Sequence, residues 1–589
     1  MRHRHHHGRF AGGGKAFARA CVLGMALAAS HSGMAASAIA TLSPGVPVRV
    51  AGGDASERSW TLALQAGDFL RGRVIGGIAS LDLQDERGRH LRRLVDAREL
   101  SRDFMLVAPA SGTYRLLARD PERAGYTLVT EQILPKTAQR LVPATPRSPL
   151  LRQLSDQLAS LSGAAAQAAL DAFWRDMAVR GTPLVESLSA EACAGTAEGA
   201  RPCELLVSFL WRGARHGVML RSSPSGDHDP LRRLGDSDIW YRSYRLPASA
   251  RLSYQLAPDV PSLPRPALER RRAILATAQR DPLNPMTFPV SGVDRYQRQS
   301  VLQLPQAPLQ PWLEPRAHSS RGRVEKHLFS SRLLGNTREI TLYRPAGWQA
   351  EASGRGLLVV FDAHAYDGRV PTPTILDNLR SDGLVPPTAA ILIGNPDAAA
   401  RAAELPPNRL FARFIAEELM PWARNQGIGA SAGQSVIAGS SYGGLASAYV
   451  ALRHPEWFGN VLSQSGSFWW GKADNEAPNG NGAAEEEPQW LTRQYARQDR
   501  LPLRFYLEAG LFESKRGQSG SILATTRHLR DVLRAKGYPV THAEYASGHD
   551  YLHWRGSLAC GLVVLLGPKP EAMTDAQRGL WDDACPGRP

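Results

Sequence analysis

Residues 435–444 read Ser-Val-Ile-Ala-Gly-Ser-Ser-Tyr-Gly-Gly, an apolar run closing on Gly439-x-Ser441-x-Gly443, with small residues following from Leu445. The order of strand, tight turn and helix forces a serine into a strained backbone, and only small neighbours let the chain pass that closely. Such a turn lifts the Ser441 hydroxyl above a sheet. It also leaves the Tyr442 N–H at a helix N-terminus, aimed at a developing oxyanion. Ser440 is the neighbouring alternative, but the glycines flank Ser441. The chemistry implied is acyl transfer through a serine.

A serine hydroxyl is a poor nucleophile without a base. Five histidines follow it: His454, His528, His542, His549 and His553. His454 lies just past the elbow helix, His528 within a helical stretch, and His542 at the edge of a strand. His549, in Ser547-Gly548-His549-Asp550, follows that strand directly, where a loop brings it back over the sheet; His553 is the runner-up. A carboxylate must then fix the imidazole tautomer, in the chain order serine, acid, histidine. Phe505 to Glu513 is a strand running into a loop. Glu513, beyond the strand end, is the expected acid, and Glu508, inside the strand, is the alternative. A second oxyanion donor is expected after an early strand, from backbone N–H groups near Ala363 and His364. Asp362 beside them reads equally as part of that loop or as a turn-capping carboxylate.

These loops need a sheet to carry them. Leu357 to Phe361, Ala389 to Ile393, Ser435 to Ala438 and Phe505 to Leu507 are short apolar runs alternating with helical stretches such as Leu410 to Trp422. Strands buried on both faces imply a mainly parallel sheet in an α/β domain. We place it at residues 324–589, with residues 475–487 as a surface insertion. Upstream the pattern is different. Residues 39–135 alternate in short strands (Trp60 to Leu64, Phe69 to Val74, Tyr114 to Ala118), as a small β-sandwich would. A linker and an amphipathic helix with Leu150, Leu151, Leu154, Leu158 and Leu161 follow over 136–172. A second β domain spans 173–300, with Leu205 to Trp211 and Ile239 to Tyr244 as strands. The fold class expected is therefore multidomain, with two β-sandwich-like domains preceding an α/β-hydrolase domain.

The chain has 589 residues, 43% hydrophobic and 21% charged, which excludes a disordered polymer. Its net charge of +15 favours anionic partners. No dense Lys/Arg tract interleaved with aromatics supports nucleic-acid binding. Residues 1–38 have the layout of a secretory signal: basic residues (Arg2, Arg4, Arg9, Lys15, Arg19), the apolar run Cys21 to Ala29, and Ala36-Ser37-Ala38 before cleavage. A periplasmic or secreted protein is expected, with no membrane span. Export leaves four cysteines, and an even count in an oxidising compartment implies disulfides. Sequence proximity pairs Cys193 with Cys203 and Cys560 with Cys585. The separations do not suit zinc, and no metal site is expected.

The motifs of residues 324–568 resemble the enterochelin (enterobactin) esterases. They are Phe361-Asp-Ala-His with Tyr366, Arg401-Ala-Ala-Glu-Leu with Asn408, Gly439-Ser-Ser-Tyr-Gly-Gly, Ser463-Gln-Ser-Gly-Ser-Phe-Trp-Trp470, Leu507-Glu-Ala-Gly with Glu513, and Gly548-His-Asp with Trp554-Arg-Gly. Upstream, Phe173-Trp174, Gly181 to Glu186, Ser237 to Tyr244 and Asp281 to Pro285 look like that family's N-terminal immunoglobulin-like domain. The resemblance covers about two-thirds of the chain. It implies Ser441 as nucleophile, His549 as base and Glu513 as acid, with Arg401, Trp469 and Trp470 at the substrate. It also implies hydrolysis of a catecholate siderophore trilactone, with no resident cofactor, since the iron arrives with its ligand. A ferric tris-catecholate is a bulky trianion with aromatic faces, which a basic cleft bearing tryptophans suits. Two features set this chain apart: Asp362-Ala363 where many relatives carry Asp-Gly, and an export leader with an extra β domain. The competing expectations are an exported hydrolase of another acyl or feruloyl ester, and an inactive siderophore-binding protein.

Overall fold

The computed structural model describes residues 39–78, 80–96, 103–136, 145–187, 203–261, 273–473, 486–514 and 521–585. The leader, Cys193 and most of the 475–487 insertion lie outside them. The chain divides into two compact units, residues 1–144 and 145–589.

In the first unit a five-stranded and a four-stranded sheet contribute to one core. Alternation sets its faces: in Phe69–Gly76, Leu70 and Val74 are buried while Arg71 and Arg73 are exposed. The core is aliphatic around Trp60, Phe104, Tyr114 and Tyr126.

The second unit opens with two helices, Pro149–Ser160 and Gly163–Arg180. Ser148 caps the first, and Leu151 and Leu154 are its buried residues. Two further sheets follow, of four and five strands, between Leu184 and Gln303. The strands Glu204–Arg212 and Ile239–Pro247 contain the runs expected from the sequence.

The remainder is built on an eight-stranded sheet: β1 (Arg323–Ser331), β2 (Asn336–Arg344), β3 (Gly356–Phe361), β4 (Thr388–Ile393), β5 (Ser435–Ser440), β6 (Asn460–Gln464), β7 (Arg504–Gly510) and β8 (Val540–Tyr545). The spatial order is β1-β2-β4-β3-β5-β6-β7-β8, and every pairing from β4 to β8 is parallel. All six residues of β3, β4 and β5 are buried, because hydrophobic clusters cover both faces of the sheet. Parallel strands end together, so the loops after β3, β5, β6, β7 and β8 gather along one edge. That edge carries Ala363, His364, Ser441, Trp469, Trp470, Glu513 and His549, and Arg401 reaches it from the short helix Ala398–Glu404 after β4.

Helices α1 (Tyr442–Arg453), α2 (Tyr551–Leu566) and α3 (Asp575–Ala584) complete the frame used below. A disulfide joins Cys560 on α2 to Cys585 at the end of α3, as sequence proximity suggests. Cys203 is also disulfide-bonded, and Cys193 is outside the described residues. No described helix is long and apolar enough to cross a membrane.

The Cys560–Cys585 bridge closes a loop of 25 residues. Its loss through Cys585→Ser is expected to destabilise the second unit by roughly 3 kcal/mol. The check is an earlier denaturant midpoint for that unit, with ester cleavage retained below the transition.

Candidate active site

Ser441 sits at the tip of β5 with φ 58° and ψ −120°, a conformation that L-residues avoid. The turn is held from both sides: Ser441 N–H donates to Gln464 O (3.0 Å), and Ser441 O accepts from Ser467 N–H (3.0 Å). Glycine at 439 is a steric necessity, since a Cβ there would fall 2.6 Å from the Gly443 carbonyl carbon. Ser440 is buried, whereas Ser441 is partly open at the head of α1. Tyr442 N–H, first in that helix, has no intrahelical acceptor.

The turn after β3 lies against this helix end: a Cβ on Gly443 would be 3.6 Å from Asp362 Oδ2. Asp362 adopts the left-handed conformation (φ 60°, ψ 50°) and reverses the chain into the short helix Ala363–Tyr366. The Ala363 and His364 amides head that helix. Asp362 carries no side-chain cap; its fully buried carboxylate instead takes a bidentate pair from Arg401 (Nε 2.7 Å, Nη2 2.8 Å) and a third bond from Asn395 (2.7 Å). The capping alternative for Asp362 therefore gives way to an anchoring one. Arg401, expected at the substrate, spends these two nitrogens on that anchor and keeps its side chain 27% exposed.

His549 and Glu513 meet as the sequence expects. His549 Nδ1 is 2.5 Å from Glu513 Oε1, while Glu513 Oε2 accepts from Gly510 N–H on its own loop at 2.7 Å. The two carboxylate oxygens thus divide the work, one bracing the acid's loop and the other orienting the imidazole. Gly510 is required here, because a Cβ would lie 2.3 Å from Ser547 O on the histidine's loop. The imidazole also stands edge-on to Trp554, 4.8 Å between ring centres. The Ser441 hydroxyl pairs with Ser467 Oγ at 3.3 Å, and no Ser441–His549 hydrogen bond forms among the described residues. Catalytic hydrogen bonds in unliganded sites are often long and tighten with substrate.

Glu508 has a different environment. It is fully buried, with Oε1 accepting from Ser557 (2.7 Å) and facing Gln464 Nε2 (3.4 Å). Burial pushes its carboxyl up to about 8, partly offset by the Ser557 and Gln464 bonds. Burial also lowers His553 to about 3, helped by Arg251. The two groups lie 3.6 Å apart, and burial disfavours the charged form of each. His553 is 7% exposed and packs on Tyr545, away from the serine turn.

Trp469 packs on Tyr442 (6.2 Å between ring centres), and Trp470 meets Trp490 edge-on at 6.2 Å. Both line the serine's side of the sheet edge, and Trp469 Nε1 is buried with no acceptor among the described residues. Beside the histidine is a cleft of about 390 Å³ whose walls include Arg221, Ser223, Leu252, Glu513, His549 and Asp550. Sequence reasoning placed Ser467 and Trp554 within motifs but gave neither a role, and it missed this cleft's upstream wall. For Trp554, the signal present in the sequence is an aromatic residue one helical turn past Asp550, on the helix that the histidine's loop leads into.

Two family descriptions match this chain: "Enterochelin esterase, N-terminal" over residues 206–313 and "Putative esterase" over residues 330–564. The iron(III) enterobactin esterase of Dickeya dadantii is 30% identical over 438 residues, covering 69% of this chain and 95% of the relative. That of Escherichia coli O6:H1 is 33% identical over 351 residues, covering 57% and 82%. The iron(III) salmochelin esterase of the same strain is 30% identical over 410 residues, covering 67% and 93%. Among solved structures, the ferric enterobactin esterase of Salmonella typhimurium has 28% identity and a TM-score of 0.52, covering 67% of this chain and 98% of that one. The Shigella flexneri enterobactin esterase in the presence of enterobactin has 28% identity and a TM-score of 0.50, covering 69% and 98%. With its motifs, sheet order and these relatives in agreement, the chain belongs to the enterochelin esterase family and is a carboxylic-ester hydrolase.

Proposed function

We propose that this enzyme is exported and hydrolyses the backbone esters of a ferric catecholate siderophore trilactone, loosening the ligand's hold on iron. The single observation that carries the chemistry is the His549–Glu513 contact of 2.5 Å beside the strained Ser441 turn. The relatives' shared substrate class supports the choice of ester. The leader and the cysteine pairing support an oxidising compartment. The two upstream β regions are read as sandwich-like, the second immunoglobulin-like.

In this reading Ser441 Oγ attacks the ester carbonyl carbon while His549 Nε2 takes its proton. Glu513 holds the tautomer with Nδ1–H and stabilises the imidazolium that forms. The carbonyl oxygen gains charge and is met by the N–H groups of Tyr442 and of Ala363 or His364, fixed before the reaction begins. The tetrahedral adduct collapses, the C–O bond to the leaving alkoxide breaks, and the imidazolium protonates that oxygen. Water, deprotonated by His549, then releases the acyl group from Ser441. Arg401 serves this step through Asp362 by holding the oxyanion turn, with its exposed edge and Trp469 and Trp470 facing the anionic, aromatic substrate.

Ser441→Ala is expected to cut turnover of ferric enterobactin by roughly 10⁴- to 10⁶-fold with the fold intact. Glu513→Gln is expected to cost roughly 10²- to 10⁴-fold. Mass analysis of the products distinguishes opening of the trilactone from cleavage of other acyl or feruloyl esters. Wild-type turnover by Ser441→Ala would refute the assignment.

Glu508→Gln tests the rival acid. Between about 4.5 and 8 the folded state keeps a proton on Glu508 that the unfolded chain has released. This residue's contribution to stability therefore declines as pH rises through that window. Glutamine has no such dependence. Glu508→Gln should thus be close to wild type or slightly less stable at pH 5 and gain relative to it by pH 8, with turnover changed much less than in Glu513→Gln. Denaturant midpoints at the two pH values read the difference directly.

A further inference from the structure

The loop that carries His549 is attached to the upstream domain in a way the catalytic assignments do not use. The strand Arg251–Pro258 is flanked on one side by Gln299–Gln303 along Arg251 to Tyr254. On its other side Val218–Arg221 pairs only as far as Arg221 with Gln255, and then stops. Beyond that point the same strand edge offers the N–H groups of Arg251 and Ser253, two residues apart and therefore on one side. Both are taken by the histidine's loop. Arg251 N–H donates to Ala546 O at 3.0 Å, and Ser253 N–H donates to Asp550 Oδ2 at 2.7 Å. The other oxygen, Asp550 Oδ1, accepts from Leu552 N–H at 3.0 Å and caps α2.

The acid's loop hangs from the same segment. Leu511 N–H donates to Tyr545 O at 2.8 Å, and Phe512 N–H donates to Ser547 O at 3.1 Å. Phe512 and Ala546 are buried in the upstream domain's core, among Phe209, Leu252 and Leu302.

We infer that the upstream domain is part of the catalytic apparatus, its open strand edge fixing the histidine and acid loops, and that Asp550 is the positioning residue that makes the joint. Asp550 touches no reacting atom; it sets where its neighbour His549 stands between Glu513 and Ser441. Misplacement of a catalytic group by about an ångström costs up to ~10²-fold in rate, and the Asp550–Ser253 bond is what ties the outer end of this loop to the strand. The inference rests on His549 being the base.

Two variants of the full chain separate docking from capping. Asp550→Ser keeps a good helix cap but is too short to span to Ser253 as well. Asp550→Asn keeps the volume and one acceptor oxygen while presenting an N–H to one of the two donors. Both are expected to lower kcat on ferric enterobactin by roughly 10- to 100-fold while KM stays within about twofold, the pattern of a lost transition-state arrangement. Thr574→Ala, which removes the cap of α3, shows what destabilisation alone does and should leave kcat unchanged. Wild-type kcat in both Asp550 variants overturns the inference. So does a kcat loss that Thr574→Ala reproduces, or one matched by a proportional rise in KM. His549→Ala run alongside separates the two failures: if it is inactive while the Asp550 variants are normal, only the joint is disproved; if it is active, the base assignment falls and the joint with it.

Discussion

The backbone of Ser441 is the constraint on which the rest of the site depends. Holding a non-glycine residue at φ 58°, ψ −120° costs of order 1–3 kcal/mol and persists only where the surroundings over-determine it. Here both peptide groups of the residue are engaged, by Gln464 below and Ser467 beside it. The strand leading in is buried throughout between β3 and β6, and the helix leading out is buried along nearly its whole length. The Asp362 turn lies against the N-terminus of that helix, so the Ser441 turn and the Ala363 and His364 amides share one packed unit.

Four carboxylates within this small region do four different things, and environment decides which. Glu513 is buried, with one oxygen taking a backbone N–H and the other facing an imidazole. Asp362 is wholly buried but met by a guanidinium fork and an amide, which satisfies it as an anchor. Asp550 bridges two backbone donors from different domains. Glu508 meets a neutral histidine rather than a cation, since burial keeps the proton off His553, and it stays protonated. The residue type is the same or nearly so; the partner within about 3 Å makes the role.

Environment of this kind is only partly written in the sequence. The Gly439-x-Ser441-x-Gly443 turn and the meeting of His549 with Glu513 follow from local signals: an apolar strand, a turn, and a position just past a strand end. The Cys560–Cys585 bridge is legible for the same reason, through short separation in a chain read as exported. The contacts that sequence leaves hidden are long-range ones. Asp362 and Arg401 are 39 residues apart, and Ser253 and Asp550 are 297 apart. No periodicity links such pairs, and only the fold shows that Arg401 also anchors Asp362. Trp554 is intermediate: its spacing from His549 is visible, but its edge-on contact needs the turn that Asp550 caps.

Packing decides whether the upstream domain is an accessory or a working part. An appended module would bury its own core and touch the enzyme through a polar face. Here Phe512, one residue before the acid, and Ala546, three before the histidine, complete that domain's own hydrophobic cluster. Burying a phenylalanine of this kind is worth about 2–3 kcal/mol, and that energy is available only when acid loop, histidine loop and strand edge are assembled together. The domain joint and the meeting of Glu513 with His549 therefore draw on neighbouring contacts of the same two loops. The serine turn, by contrast, is held separately, through β5 and its bond to Gln464 on β6.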